Sequence, residues 1–118
     1  MSWKDTLEER KELVLSTCSK DCEPRAIVVI SLGIVDDKLL IGDCMMKTTL
    51  KNMRENNKIS IFSKDNGEYY CISGTVEIQP SGKYFDLATK KSNPPLPKNV
   101  LVIDIKEVFD LDKAEKIL

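Results

Sequence analysis

Histidine is absent from the 118 residues of the chain. This absence removes the commonest general base, the usual haem ligand and the commonest zinc ligand together. Any chemistry must therefore come from carboxylates, thiols, hydroxyl groups, lysine or a bound cofactor. A mechanism that depends on histidine is excluded.

Long apolar runs and an excess of charge of one sign are also missing. No stretch approaches the ~18 consecutive apolar residues of a membrane-spanning helix, and the charged N-terminal segment lacks the core of a signal peptide. Lysine and arginine total 18 against 19 acidic residues, a net charge of −1. Because this balance gives no broad basic surface, we expect a cytoplasmic protein that binds neither nucleic acid nor membranes.

Cysteine is scarce, with four residues at positions 18, 22, 44 and 71. Their spacing suits neither a disulfide scaffold nor a zinc ribbon. Cys18 and Cys22 stand too far apart in sequence for the Cys-x-x-Cys redox motif. We therefore expect free thiols and no metal site.

The length and composition predict one globular domain over residues 1–118. Domains commonly contain about 100–150 residues. The 42% share of hydrophobic residues supplies a core, and the 31% share of charged residues supplies a polar surface.

Local patterns predict helices at the beginning and in the middle of the chain. Ser2 and Asp5 resemble a capping box, and Leu7, Leu13 and Val14 lie among charged residues, so we expect an amphipathic helix over residues 3–16. Further helices are predicted over residues 48–56 and 83–90, and residues 92–99, with three prolines, are predicted to form an extended loop.

The remaining segments are typical of β-strands. Residues 25–35 are nearly all apolar or β-branched, which predicts a strand buried on both faces. A turn at Asp36 and Asp37 leads into a second arm over residues 38–42, and Asn66-Gly67 is the strongest short hairpin signal. Other strands are predicted over residues 58–63, 68–79 (with a bulge or a close backbone approach at Gly74) and 100–106. Five or six strands joined by hairpins favour a mainly β protein, an antiparallel barrel with flanking helices.

The most informative segment for function joins the second hairpin arm to the middle helix. Gly42 and Asp43 are followed by Lys47, Thr48 and Thr49 where that helix begins. Free N–H groups and the positive dipole end of a helix bind anions, and lysine and threonine add further donors suited to a phosphate monoester. The alternative is a threonine that caps the helix beside a solvated lysine. Neither a P-loop nor a Gly-x-Gly-x-x-Gly motif is present.

The order of these segments resembles the pyridoxamine-phosphate-oxidase-like family. The likeness is carried by LLIGDCMMKTTLKN, by ISGTVEI and by VLVIDI, and extends from about Leu7 to Leu111. It is greatest to the short FMN-binding proteins of anaerobic bacteria and archaea. The resemblance implies an FMN-binding split barrel of about six antiparallel strands, with FMN at the interface of a homodimer.

The resemblance also implies which residues hold FMN. Lys47, Thr48 and Arg25 match the phosphate-binding positions, and Asn52, one helical turn later, is placed to reach the phosphate or the ribityl chain. Backbone groups of Val28, Val29 and Ile30 would face the flavin ring, and Asp43, Cys44 and Met46 would form its wall.

Two departures from the family pattern narrow the expected activity. Arginine occurs only at positions 10, 25 and 54, and the C-terminal arginine and histidine of pyridoxamine-phosphate oxidases proper are absent. Oxidation of pyridoxine phosphate, and the histidine-dependent haem-degrading and nitroimidazole-reducing activities of relatives, are therefore disfavoured.

The resemblance then implies an FMN-dependent oxidoreductase or electron carrier that exchanges electrons with a small-molecule donor or acceptor. In such proteins the cofactor performs the chemistry and the protein orients it, and no residue has the pattern of an essential acid or base. Three alternatives stay open: a barrel that binds flavin or another phosphorylated ligand without turnover, a deazaflavin-dependent relative, and an interaction module without a cofactor.

Overall fold

The computed structural model describes residues 3–118. Within this range the chain forms a short 3₁₀ helix, seven strands and two α-helices. In chain order they are the 3₁₀ helix Trp3–Leu7, β1 (Glu12–Cys18), β2 (Pro24–Val35), β3 (Lys38–Asp43), α1 (Thr48–Glu55), β4 (Lys58–Asp65), β5 (Glu68–Gln79), α2 (Lys83–Lys91), β6 (Asn99–Asp110) and β7 (Glu115–Lys116). No helix in the described range is long and apolar enough to cross a membrane.

Six strands close into an antiparallel barrel. Their order is β3-β2-β1-β4-β5-β6, and pairing of β3 with β6 closes the ring, with β7 added to β6. The closing register sets Leu39 opposite Ile103 and Ile41 opposite Leu101. The predicted mainly β fold, an antiparallel split barrel of about six strands, is confirmed.

Alternation of side chains places one core inside the barrel and a second beneath α2. Successive residues of a strand point to opposite faces, so Leu13 and Leu15 of β1 point inward and are buried with Ile61 and Ile72. On the outer surface, α2 covers a smaller cluster around Leu32, Leu40, Ala88, Val100 and Val102. The two clusters hold β2, β3 and β6 from both sides.

The prediction of a helix over residues 3–16 is wrong. Only Trp3–Leu7 is helical, as a 3₁₀ turn, and Glu12–Cys18 is strand β1. The alternation of Leu13, Leu15 and Thr17 fits a period of two, and β1 pairs with both β2 and β4. The ladder bonds on both sides and the buried face outweigh the helix propensity of the charged residues before it.

Residues 25–35 form the predicted strand, but they are not buried on both faces throughout. From Pro24 to Ile30 one face of β2 is open, with Val28 66% and Ile30 42% exposed. The second half is covered, because Leu32 lies in the cluster beneath α2. An apolar face without a cover in the single chain therefore runs along the beginning of β2.

Both predicted hairpin turns form. Asp36 and Asp37 adopt φ values of 53° and 62°, and Asn66 and Gly67 adopt 48° and 80°. Positive φ at both central residues gives the turn type whose twist matches that of paired strands. At Gly74 the ladder with β6 shifts register, and a Cβ atom there would collide with the carbonyl oxygen of Asp104, as predicted for a bulge or close approach.

Candidate functional site

A cleft of about 800 Å³ runs along the open face of β2. Its volume lies within the range of roughly 300–1,000 Å³ that is usual for small-molecule and cofactor sites. The structure brings eight of the predicted site residues together in its lining: Arg25, Val28, Val29, Ile30, Cys44, Met46, Lys47 and Thr48.

The beginning of α1 forms one end of the cleft. Strand β3 runs antiparallel to β2, so the residues that follow Asp43 pass back along the first half of β2 toward Arg25. Lys47 immediately precedes α1, and its side chain makes no capping hydrogen bond. The first N–H groups of an α-helix have no partner within the helix, so this end presents backbone donors, two threonine hydroxyls and cationic side chains.

Asp43 does not line the cleft, but it holds in place the segment between β3 and α1, whose residues do line it. The residue is only 2% exposed. Its Oδ1 accepts a hydrogen bond from the Met46 N–H at 2.9 Å, and its Oδ2 accepts one from the Asn99 amide at 2.8 Å. The carboxylate thereby ties the turn between β3 and α1 to the beginning of β6.

Asn52 also lies outside the lining of the cleft. Its side chain is buried at 5% exposure, and its amide nitrogen donates to the Thr17 hydroxyl at 3.2 Å. This bond joins α1 to β1. Asn52 therefore holds the helix against the barrel in the described structure.

The side of the cleft formed by β2 is apolar. Val28 and Ile30 point outward into it, while Val29 is only 6% exposed and belongs to the barrel core. Met45 and Met46 add flexible thioether side chains at the opposite side. A flat aromatic ring would find apolar surface here and backbone polar groups at the strand.

Arg10, Ser92 and Asn93 form the other end of the cleft, and sequence reasoning missed all three. The Arg10 N–H donates to the Ser31 carbonyl at 2.9 Å, six residues along β2 from Arg25. At about 3.3 Å per residue, the two arginine backbones lie roughly 20 Å apart along the strand. In the sequence, the only feature that pointed to this end was the placement of Arg10 and Arg25, one near each end of the β1–β2 hairpin.

The proline-rich loop also contributes to the lining of the cleft. Pro95 lines it, and the Cys44 thiol donates to the Pro95 carbonyl at 3.5 Å. Pro97, further along the loop, is buried against Gly42. The loop is therefore anchored to the end of β3 at two points.

The lining contains cations and a thiol but no carboxylate side chain. Within residues 3–118, no group of three cysteine, aspartate or glutamate side chains has the arrangement of a metal site. The arrangement thus suits an anionic, partly apolar ligand, and it offers no acid–base pair.

Comparison with known proteins agrees with this geometry. A model of the pyridoxamine 5'-phosphate oxidase family matches residues 2–112. An uncharacterised protein of Methanocaldococcus jannaschii is 32% identical over 111 residues, which cover 87% of this chain and 74% of that protein.

Solved structures share the fold. HupZ of group A Streptococcus superposes with a TM-score of 0.86 at 25% identity, covering 100% of both chains. An FMN-binding protein of Syntrophomonas wolfei superposes with a TM-score of 0.74 at 19% identity, covering 92% of this chain and 80% of that one. The family match over residues 2–112 and the 32% identical relative show that the chain belongs to the pyridoxamine 5'-phosphate oxidase-like family, and its fold is the split barrel.

Proposed function

We propose that this protein is an FMN-dependent oxidoreductase or electron carrier that binds FMN along the β2 cleft. The observation that carries the proposal is the polarity of the cleft, which has the uncapped, lysine-bearing start of α1 at one end and an apolar strand beside it. FMN has the matching polarity, with a phosphate at one end and a flat ring system at the other.

Each end of the cleft has a distinct role in this proposal. Lys47, Thr48 and Arg25 bind the phosphate, with N–H groups at the beginning of α1 as further donors. Val28 and Ile30 pack against the ring and keep water from one of its faces. Arg10, at the far end, offers a positive charge to a second ligand that enters beside the ring.

Bound FMN supplies hydride or electron transfer, which no side chain of the lining can perform alone. The residues of the chain bind and orient the cofactor. Because the lining has no carboxylate, the proposal assigns no side chain as general base.

We further propose that the protein is a homodimer, and the outer face of the barrel supports this. Val28, Val14, Phe62, Cys71 and Phe109 form one row across neighbouring strands. Val28 is 66%, Phe62 36% and Phe109 40% exposed. Contiguous exposed apolar surface marks interaction sites, and Val28 belongs both to this row and to the cleft. A second copy of the chain on the row would therefore also cover the open side of the cleft.

The cofactor assignment is tested by reconstitution. The purified protein is incubated with FMN, FAD, riboflavin or a deazaflavin, desalted, and examined by visible absorption. Retention of FMN with a shifted band, and weaker retention of riboflavin, is expected because riboflavin lacks the phosphate. If the protein retains only the deazaflavin, then the deazaflavin and not FMN is its cofactor. If it retains none of the four compounds, the proposal is overturned.

Turnover separates an enzyme from a carrier or a binding protein. Reduction of the bound FMN by a nicotinamide cofactor, followed by steady reoxidation by a quinone or dye, is expected for an oxidoreductase. Flavin that is retained but is not reduced by nicotinamide, while dithionite still reduces it, would leave a protein that binds FMN without this activity.

The dimer is tested by sedimentation equilibrium of Phe62→Asp, with Leu96→Asp as the matched control. Leu96 is 54% exposed but lies on the loop before β6, outside the row. We expect Phe62→Asp to dissociate the dimer and Leu96→Asp to leave it intact. A wild-type chain that sediments as a monomer would refute this part of the proposal.

A further inference from the structure

The residues just before β1 are fixed to β2 by hydrogen bonds. The Arg10 N–H donates to the Ser31 carbonyl at 2.9 Å, and the Ser31 N–H donates to the Lys11 carbonyl at 2.8 Å. The Ser31 hydroxyl, which is completely buried, donates to the Leu7 carbonyl at 2.7 Å. Because Ser31 directly follows Ile30, these bonds hold the Arg10 backbone beside the apolar part of the cleft, at the end away from α1.

The Arg10 side chain has free hydrogen-bond donors at this end of the cleft. It lines the cleft and is exposed. With the other residues of the range 3–118, its guanidinium forms no ion pair and no hydrogen bond. The Ser92 hydroxyl, in contrast, already donates to the Ala88 carbonyl at 2.7 Å. Arg10 and the exposed Asn93 amide are therefore the groups that can donate to a ligand here.

A second cation lies close to the Arg10 backbone. The Lys91 ammonium donates to the Leu32 carbonyl at 3.3 Å, and it lies 3.7 Å from the point where a Cβ on Gly33 would stand, next to the backbone of Glu9. Lys91 is also the last residue of α2, where a cation offsets the negative end of the helix dipole. The Glu9 carboxylate does not line the cleft. The charge at this end is therefore positive.

This charge is separate from the proposed phosphate site. Arg10 and Arg25 lie roughly 20 Å apart along β2, whereas charges in solvent are screened over about 8 Å at physiological ionic strength. The lining holds three cationic side chains, those of Arg10, Arg25 and Lys47. A phosphate bound by Arg25 and Lys47 would leave the charge of Arg10 without a counterion. The Arg10 end of the cleft is thus open to a second anionic group.

We propose that this end of the cleft binds the substrate that exchanges electrons with FMN, and that this substrate carries a carboxylate or phosphate group held by Arg10. The planar guanidinium matches the oxygen atoms of either group in a two-bond arrangement, and the Asn93 amide adds a donor. The inference rests on the proposed function, because the rest of the substrate must lie against the ring of bound FMN. Arg10 binds and orients the substrate and takes no part in the electron transfer.

The experiment uses the full chain reconstituted with FMN, and three probes: benzoate, phenyl phosphate and benzamide. Benzamide has nearly the shape of benzoate but no charge. Changes in the visible absorption of the flavin during titration give each Kd. We expect benzoate or phenyl phosphate to bind roughly threefold to tenfold more tightly than benzamide, with a preference that shrinks as the ionic strength rises. The tighter of the two anions identifies the group as carboxylate or phosphate.

Two variants locate the anion. Arg10→Gln should remove the preference for the anionic probes. Lys90→Gln is the matched control, because Lys90 is an exposed cation in the last turn of α2 that does not line the cleft, and it should keep the preference. Circular dichroism of each variant checks its fold. An equal loss of preference in both variants would assign it to the general charge of the protein and overturn the role of Arg10.

The outcomes separate this inference from the proposed function. A wild-type chain that retains FMN but binds all three probes equally would overturn the inference alone. A chain that retains no flavin would overturn the proposed function and the inference with it. If Arg10→Gln weakens the binding of FMN but not of riboflavin, the phosphate of FMN lies at the Arg10 end, and the inference is wrong.

Discussion

Replacement of Lys47 by alanine tests the proposed phosphate site most directly. The side chain lines the cleft where α1 begins, is exposed, and makes no capping hydrogen bond. Its removal should therefore leave the helix and the barrel intact. What it removes is one positive charge and one donor at the proposed position of the phosphate.

The expected loss of affinity follows from that exposure. A hydrogen bond to a charged group contributes roughly 1.5–3 kcal/mol in a sheltered site, and exposure to solvent and salt reduces such contributions. We expect about 1–1.4 kcal/mol for Lys47, roughly a fivefold to tenfold rise in the Kd for FMN. The rise should shrink as the ionic strength increases.

Quenching of flavin fluorescence during titration into the apoprotein measures this Kd. Riboflavin, which lacks the phosphate, should bind Lys47→Ala and the wild type equally. Lys51→Ala is the matched control, because Lys51 is exposed on the same helix but does not line the cleft. An unchanged Kd for FMN in Lys47→Ala, or an equal loss for riboflavin, would refute the placement of the phosphate.

Three further substitutions test features that support the site. Asp43→Ala leaves the Asn99 amide without its acceptor and should lower the free energy of unfolding by about 1–3 kcal/mol in urea titrations. An unchanged free energy of unfolding would mean that other contacts hold the segment between β3 and α1. Gly74→Ala places a Cβ against the Asp104 carbonyl, so thermal melts should show a clear loss of stability, whereas an unchanged melting temperature would exclude a rigid contact. Tyr70 donates to a carboxylate, and this bond and burial raise its pKa from 10 to about 12. The unfolded chain therefore loses the Tyr70 proton at a lower pH than the folded chain, so the free energy of unfolding should decrease between about pH 10 and 12. Tyr70→Phe should lessen this decrease in unfolding curves measured at alkaline pH. An equal decrease in the variant would assign the effect to other groups.

Short-range chemistry made much of the barrel predictable from the sequence. Asn66-Gly67 forms its hairpin turn because both residues tolerate positive φ, and Gly74 lies where the backbone of β6 approaches too closely for a side chain. The threonines after Lys47 begin a helix at the predicted residue. The hairpin turn and the helix start depend on neighbours in the chain, so the sequence determines them by itself. The glycine at position 74 signals a close approach, but only the tertiary structure supplies its partner, Asp104.

Tertiary structure decided the elements whose stability comes from distant partners. Residues 12–18 are a strand because β2 and β4 supply hydrogen bonds on both sides, which no local pattern shows. Arg10, Ser92 and Asn93 meet at one end of the cleft only after the barrel has closed. Sequence thus determined the turns and the helix start, whereas long-range pairing decided which side chains meet.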